Sequence, residues 1–300
     1  MLVTGAAGFT GRHLCTHLRE CGYRVFGLVE HARVDSDDLV ADLLDAPALG
    51  AAIRTAAPDH VVHLAAIAFP GHAEAASIYR VNLTGTLTLL EALVREGFGR
   101  NRVLLPSTGT VYASSESGEL VETAPLAPAT HYAVSKLAME HMARMYVRSL
   151  PITVVRPFNY TGPGQHEPYL IPKIVRHFAE RAATIELGNV DVIRDFLDVR
   201  SVVDVYQRLL NTPAAAGGTF NVCSGKGVAI RDLVAMLEEL TGHRIAIRVN
   251  PKFVRPDEPR RIVGCSAKLH AIIGDLRTVP LAMTLADMLA EREQSTAKPK

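Results

Sequence analysis

Short apolar runs alternate with longer stretches in which apolar residues return every three or four positions. The runs at 2–4 (LVT), 23–29 (YRVFGLV), 61–64 (VVHL), 103–105 (VLL) and 152–155 (ITVV) have the length and continuity of strands buried on both faces. Helical periodicity fills 10–21, 46–56, 73–96 and 131–149 between them. Strand and helix in alternation predict βαβ units, hence an α/β fold with a doubly wound parallel sheet over residues 1–157. Right-handed crossovers then place helices on both faces of that sheet.

Past Arg156 the pattern loosens. Asn159 to Pro168 (NYTGPGQHEP) is too rich in Gly, Pro and polar residues for regular structure. Helices are expected near 169–182, 201–211, 230–241 and 283–292, with brief strands near 219–222 and 245–249. These make 158–293 a smaller, discontinuous α/β lobe suited to substrate binding, and 294–300 a disordered tail.

Composition narrows the class of protein. Nearly half of the 300 residues (48%) are hydrophobic and the net charge is +1, so neither nucleic-acid binding nor an acidic solvating tail is indicated. The longest apolar runs are too short to span a bilayer, and the opening MLVTGAAG lacks the charged start of a secretory leader. Cys15, Cys21, Cys223 and Cys265 are scattered, which argues against a disulfide framework and for a reducing, cytoplasmic setting. The twelve histidines are read as forming no metal-ligand cluster, so no metal is expected.

Chemistry first appears at VTGAAGFTG. Gly5, Gly8 and Gly11 lie between the first strand and first helix, where a tight turn lets the backbone approach a pyrophosphate at the helix N-terminus. The spacing is G-x-x-G-x-x-G, and its place in the βαβ pattern points to a Rossmann-type dinucleotide site. After the second strand come Glu30, His31 and Arg33; an acid suits a free ribose 2′-hydroxyl and a base suits a 2′-phosphate, so NAD and NADP both remain open. Asp42 and Leu43 are candidates for the adenine, with a helix cap as the alternative. Further on, YAVSK sets Tyr132 and Lys136 four residues apart on one helix face. A random string of this composition yields such a pair about 0.2 times, so context must carry the assignment.

TGAAGFTG, HLAA (63–66), VNLTGT (81–86), STGTVYA (107–113) and YAVSK together resemble the extended short-chain dehydrogenase/reductase family of nucleotide-sugar epimerases, dehydratases and 4-keto reductases. RPFNYTGPGQ (156–165), RDFLDVRSVVDVY (194–206), FNVCSGKG (220–227) and NPKFVRPDEPRRIVG (250–264) look most like its GDP-4-keto-6-deoxy-D-mannose reductases, which form GDP-D-rhamnose, with GDP-mannose 4,6-dehydratases next. The resemblance implies NAD(P)H as cofactor, and cofactor contacts from Phe9, Thr10, Leu64, Ala65, Ala66, Asn82, Tyr132, Lys136 and Pro157 as well as the glycines. It also implies a catalytic set of Thr108, Tyr132 and Lys136: Thr108 and Tyr132 meet the sugar oxygen, and the lysine ammonium lowers the phenol pKa from near 10. Ser107 is read as structural.

By the same resemblance, Asn159, Arg194 and Arg255 contact the sugar diphosphate and Glu258 the nucleotide ribose, with Lys173 a further candidate for phosphate or base. Related dehydratases carry a glutamate at position 110 to take the C5 proton; Thr110 cannot, which favours reduction at the carbonyl. Glu116, Glu119 and Glu122 read as solvated charges, His63 as a packed strand residue and His131 as a helix-start residue. The expected function is therefore NAD(P)H-dependent reduction of a GDP-4-keto-6-deoxyhexose by a homodimer. The alternatives are a 4-epimerase, a dehydratase or a non-catalytic cofactor sensor. Base, exact sugar and C4 stereochemistry are left open.

Overall fold

The computed structural model describes residues 1–31, 35–68, 74–99, 101–113, 118–254 and 259–297; Arg33, Glu116, Arg255 and Glu258 lie outside these. The first half runs β1 (Leu2–Thr4), α1 (Phe9–Glu20), β2 (Phe26–Val29), β3 (Leu39–Val40), α2 (Ala46–Ala56), β4 (His60–His63) and α3 (Ala75–Tyr79). A π-helical segment, Arg80–Gly85, leads into α4 (Thr86–Arg95), then β5 (Arg102–Pro106), α5 (His131–Ala143) and β6 (Ile152–Pro157). The second half runs β7 (Asn159–Thr161), α6 (Leu170–Ala179), β8 (Thr184–Leu187), β9 (Ile193–Asp198), α7 (Val199–Asn211) and β10 (Thr219–Val222). It continues with β11 (Gly227–Ala229), α8 (Ile230–Thr241), β12 (Ala246–Val249), β13 (Arg261–Ile262), α9 (Ala267–Ile273) and α10 (Leu281–Ala297).

Seven strands form one parallel sheet in the order β10-β6-β5-β4-β1-β2-β3. The order reverses between β1 and β4, which opens a crevice at the carboxyl ends of those strands. One face is covered by α1 and α7 through Leu14, Leu18, Val202, Val205 and Leu209. The other is covered by α2, α4 and α5 through Leu49, Ile53, Leu89, Leu93 and Met139. Burial on both faces is why β1 and the core of β5 read as unbroken apolar runs. A separate core unites α6, α8 and α10 through Ile174, Phe178, Leu233, Leu237 and Leu285.

Several expected boundaries shift. The second strand starts at Phe26, the 73–96 helix is interrupted by its π-helical segment, and α5 ends at Ala143 before a single 3₁₀ turn. The stretch expected to be irregular contains β7, which pairs with β9. β9 itself (IRDFLD) escapes hydrophobic pattern reading because three of its six residues are charged. It is held as a strand by three partners, β7, β11 and β13. β10 returns to the edge of the large sheet beside β6. α10 continues to Ala297, past the 294 boundary at which a disordered tail was expected; residues 298–300 lie outside the described ones. No helix among the described residues is long and apolar enough to cross a membrane.

Candidate active site

The glycine loop is built for close approach. Gly5 has φ +66°, and a Cβ there would stand 2.7 Å from the Ala65 backbone nitrogen. A Cβ on Gly11 would lie 2.2 Å from the Gly5 carbonyl oxygen, so only hydrogen lets α1 seat this tightly on the loop. Gly8 is the N-cap and no side chain caps the helix, which leaves its first N–H groups and dipole for an anion. A dinucleotide pyrophosphate fits this cradle. Phe9 stacks on Tyr160 (centroids 6.2 Å), and Thr10 shares a 2.9 Å hydrogen bond with the Tyr160 hydroxyl. Tyr160 therefore clasps the loop from β7, a contact that pattern reading missed because the residue sits in a Gly- and Pro-rich stretch.

The other expected cofactor residues follow the same sheet edge. Leu64, Ala65 and Ala66 continue β4, with Leu64 N–H donating to the Thr4 carbonyl (3.2 Å) and Ala65 N–H to Thr4 Oγ1 (3.1 Å). Pro157 ends β6. Leu43 is buried against the π-helical segment near Gly85, and Asp42 accepts a hydrogen bond from Leu44 N–H (2.9 Å). Glu30 and His31 are both exposed just past β2. Asn82 is occupied within the protein. Its oxygen accepts from Ile67 N–H (2.8 Å), and its amide donates to the Ile67 carbonyl (3.1 Å) and to Ser135 Oγ (3.0 Å). Through these bonds it ties the loop after β4 to α5.

His63 anchors the same region from below. Thr86 Oγ1 spends its proton on the Asn82 carbonyl (2.7 Å), so His63 Nε2 donates to Thr86 (2.9 Å) and Nδ1 accepts from Thr4 (2.7 Å). Complete burial, helped by the Lys136 charge, lowers the imidazole pKa to about 3 and keeps it neutral. His131 has a structural contact as well: Nδ1 meets the Tyr79 hydroxyl at 3.0 Å and joins α3 to α5.

α5 begins at Thr130, whose hydroxyl accepts the Ala133 N–H (3.1 Å), and this cap starts the helix that presents Tyr132 and Lys136. Lys136 is 4% exposed and donates to the Pro106 carbonyl (2.8 Å) at the end of β5. Burial lowers its pKa to about 8, opposed by the Glu140 carboxylate. Thr108 favours the Tyr132 phenolate, yet burial, seconded by Tyr160 and Tyr169, outweighs it and raises the phenol pKa. The expected lysine-lowered phenol is thus corrected: burial dominates, Lys136 is not among the groups that shift it, and the phenol stays protonated at neutral pH. Thr108 Oγ1 also meets Thr110 Oγ1 at 2.9 Å. Ser107 Oγ beside it is buried and has no hydrogen-bond partner among the described residues.

Thr108, Thr110, Pro157, Phe158, Asn159, Arg194 and Ile262 line one small cleft of about 50 Å³. Four of these were expected from sequence as site residues: Thr108, Pro157, Asn159 and Arg194. Asn159 Nδ2 donates to the Asp195 carbonyl (3.4 Å) and Arg194 Nη1 to the Ile193 carbonyl (2.9 Å). Buried Asp195 holds the cleft wall by accepting from Ser224 N–H and Oγ–H, Gly225 N–H and Gly264 N–H at 2.6–3.3 Å. Lys173 lies apart from this cleft, over the Phe253 ring (4.4 Å) and donating to the Glu186 carbonyl (2.6 Å). A larger groove of about 320 Å³ between α6, α8 and α10 is lined by none of Thr108, Tyr132 and Lys136.

Behind the site lies a polar network that sequence reading missed. Arg156 donates to Glu140 from Nε (2.9 Å) and Nη2 (2.6 Å), and from Nη1 to the Tyr112 hydroxyl (2.9 Å) and Glu122 carbonyl (3.0 Å). Tyr112 donates in turn to Asn221 Oδ1 (2.6 Å), whose backbone N–H donates to Glu122 Oε1 (2.9 Å). Glu122, read as a solvated charge, is part of this scaffold; Glu119 is exposed. A lone arginine inside the apolar strand ITVVRP was the available signal. His13 and His17 correct the reading of the histidines, for they do stand four apart on α1. His13 Nε2 meets the Pro163 carbonyl (2.8 Å) and His17 approaches Cys21 Sγ (3.8 Å). No group of three or more metal-ligating side chains occurs among the described residues.

A phosphate cradle at the switch point, with a threonine, a tyrosine and a lysine gathered at the next strand ends, defines a dinucleotide-dependent oxidoreductase. The chain belongs to the NAD dependent epimerase/dehydratase family, whose model matches residues 1–223, and it is an NAD(P)-dependent enzyme of the extended short-chain type. It is 35% identical to a GDP-6-deoxy-D-talose 4-dehydrogenase of Aggregatibacter actinomycetemcomitans, over 97% of each chain. It is 34% identical to the GDP-6-deoxy-D-mannose reductase of Pseudomonas aeruginosa, over 98% of this chain and 97% of the other. Among solved structures, a putative epimerase from Burkholderia cenocepacia superposes with TM-score 0.91 at 44% identity, covering 98% of this chain and 97% of that one. RMD from Pseudomonas aeruginosa complexed with NADPH superposes with TM-score 0.87 at 33% identity, covering 98% and 99%.

Proposed function

We propose that the protein reduces the C4 keto group of a GDP-4-keto-6-deoxyhexose with NAD(P)H. The carrying observation is the cleft beside Tyr132, where Thr108 and Thr110 stand together and position 110 offers no acid for elimination. The two GDP-6-deoxyhexose relatives support the substrate class. When bound, the nicotinamide supplies the hydride. Tyr132 holds the proton that the carbonyl oxygen takes as it becomes an alkoxide, and its raised pKa keeps that proton in place until the basic alkoxide forms. Thr108 orients the oxygen by a hydrogen bond, and Lys136, mostly ammonium at pH 7, provides positive charge on the cofactor side of Tyr132. Asn159 and Arg194 receive the sugar diphosphate. Arg255, Glu258 and Lys173 complete the nucleotide side of this reading. A homodimer in the cytoplasm belongs to the same reading.

The test is direct. Purified protein with GDP-4-keto-6-deoxymannose should oxidise NADPH or NADH stoichiometrically, read at the reduced-nicotinamide absorbance, and Tyr132→Phe should slow this by about 10²–10⁴-fold while still binding cofactor. Absence of oxidation with either cofactor would sink the proposal. The likeness to a putative epimerase favours one second reading, 4-epimerisation. NAD retained through purification, with two sugars interconverted and no net cofactor use, would decide for it.

A further inference from the structure

Burial strips Lys136 of water, and charge on a buried lysine persists only with a partner. The groups around it can be sorted by element. On α5 stand Tyr132 one turn before and Glu140 one turn after. β4 contributes His63, neutral between two threonines, and the β5 end contributes the Pro106 carbonyl. β6 contributes Arg156, bound bidentate to Glu140. Glu140 is the carboxylate that favours the ammonium, and it is 1% exposed.

We propose that Glu140 and Arg156 are a positioning pair for Lys136: the buried carboxylate supplies the counter-charge along one turn of α5, and the guanidinium fork fixes where that carboxylate sits. Stability alone is a poor reason for such a pair, since apolar replacements of buried ion pairs are commonly neutral or stabilising. The fork leaves Glu140 no rotational freedom, and Arg156 is itself held by the Tyr112 hydroxyl and the Glu122 carbonyl. The charge next to Lys136 is therefore set by β6 and by the loop at Glu122. The inference rests on Lys136 serving as the cofactor-side ammonium in the reading above, so its test does not depend on turnover.

The chain has seven lysines, few enough for ¹³C-labelled side chains to be resolved by NMR and for Lys136 to be assigned with Lys136→Arg. The Lys136 titration midpoint should fall by about one pH unit in Glu140→Gln with Arg156→Gln, which removes the carboxylate without stranding a charge. Glu140→Asp breaks the fork but keeps the charge, and its midpoint should stay closer to the wild type. Should the paired glutamines fail to fold, Glu140→Met with Arg156→Leu carries the same measurement. An unchanged midpoint in whichever pair folds overturns the proposal. A shifted midpoint in a protein that never oxidises NAD(P)H would leave the pair standing and overturn the substrate reading instead. In the active enzyme, the basic limb of the kcat/KM profile should move to lower pH in step with the midpoint.

Discussion

Replacing Gly11 by alanine is the most severe single methyl the glycine loop can receive. The added Cβ would lie 2.2 Å from the Gly5 carbonyl oxygen, 2.6 Å from that of Ala6 and 2.7 Å from Ala6 Cα, all backbone atoms with no rotamer to yield. Relief requires α1 to withdraw by about 1 Å to reach ordinary contact distance. Overpacking of this kind costs about 1–3 kcal/mol, and a chain of this size loses about 2–4 °C of Tm per kcal/mol. Gly8→Ala meets only the Gly5 oxygen, at 3.2 Å, with φ −72°, so its stability cost should be much smaller. Both residues flank the anion cradle, and loss of one well-made charge-assisted hydrogen bond, about 1.5–3 kcal/mol, weakens cofactor binding about 10–100-fold. Thermal melting and NADPH fluorescence titration of the two variants give the comparison. Gly11→Ala should lose both stability and affinity, and Gly8→Ala mainly affinity. A Gly11→Ala protein that melts and binds like wild type, or a Gly8→Ala protein less stable than Gly11→Ala, would refute the reasoning.

Two further outcomes follow from buried charge. His63 has a folded pKa of about 3 against 6.5 in the unfolded chain, so the unfolded state gains the proton first as pH falls. Its contribution is complete above pH 6.5 and is lost toward pH 3, amounting to about 2 kcal/mol between pH 6.5 and 5. Urea unfolding at the two pH values should show this loss in wild type and a smaller one in His63→Gln; equal losses would contradict the assignment. Arg156→Met leaves Glu140 buried without its partner and should cost about 3–5 kcal/mol in urea unfolding, whereas Glu140→Met with Arg156→Leu should be near neutral. Equal costs for the two would show that the pair is not acting as a charge pair.

The amino-acid sequence determined the large sheet and its cofactor loop, because parallel strands buried on both faces must be continuously apolar and because the glycines at 5 and 11 admit no side chain. It also made Thr108, Tyr132 and Lys136 legible as candidates, since their residue types follow one another at strand end and helix start. Position 110 was equally legible, since a threonine differs from a glutamate in plain sight. Tertiary structure alone decided what local pattern cannot carry. β9 is a strand through its partners despite its charges, Asn82 is occupied between a loop and α5, and Glu122 joins a buried scaffold through Asn221 and Arg156. The same holds for proton affinity: Tyr132 and Lys136 share a helix face at a spacing any reader can see, but burial determines their pKa values. Burial and the pairing of charges distant in sequence are properties of the packed molecule, and here they set how strongly the site holds its protons.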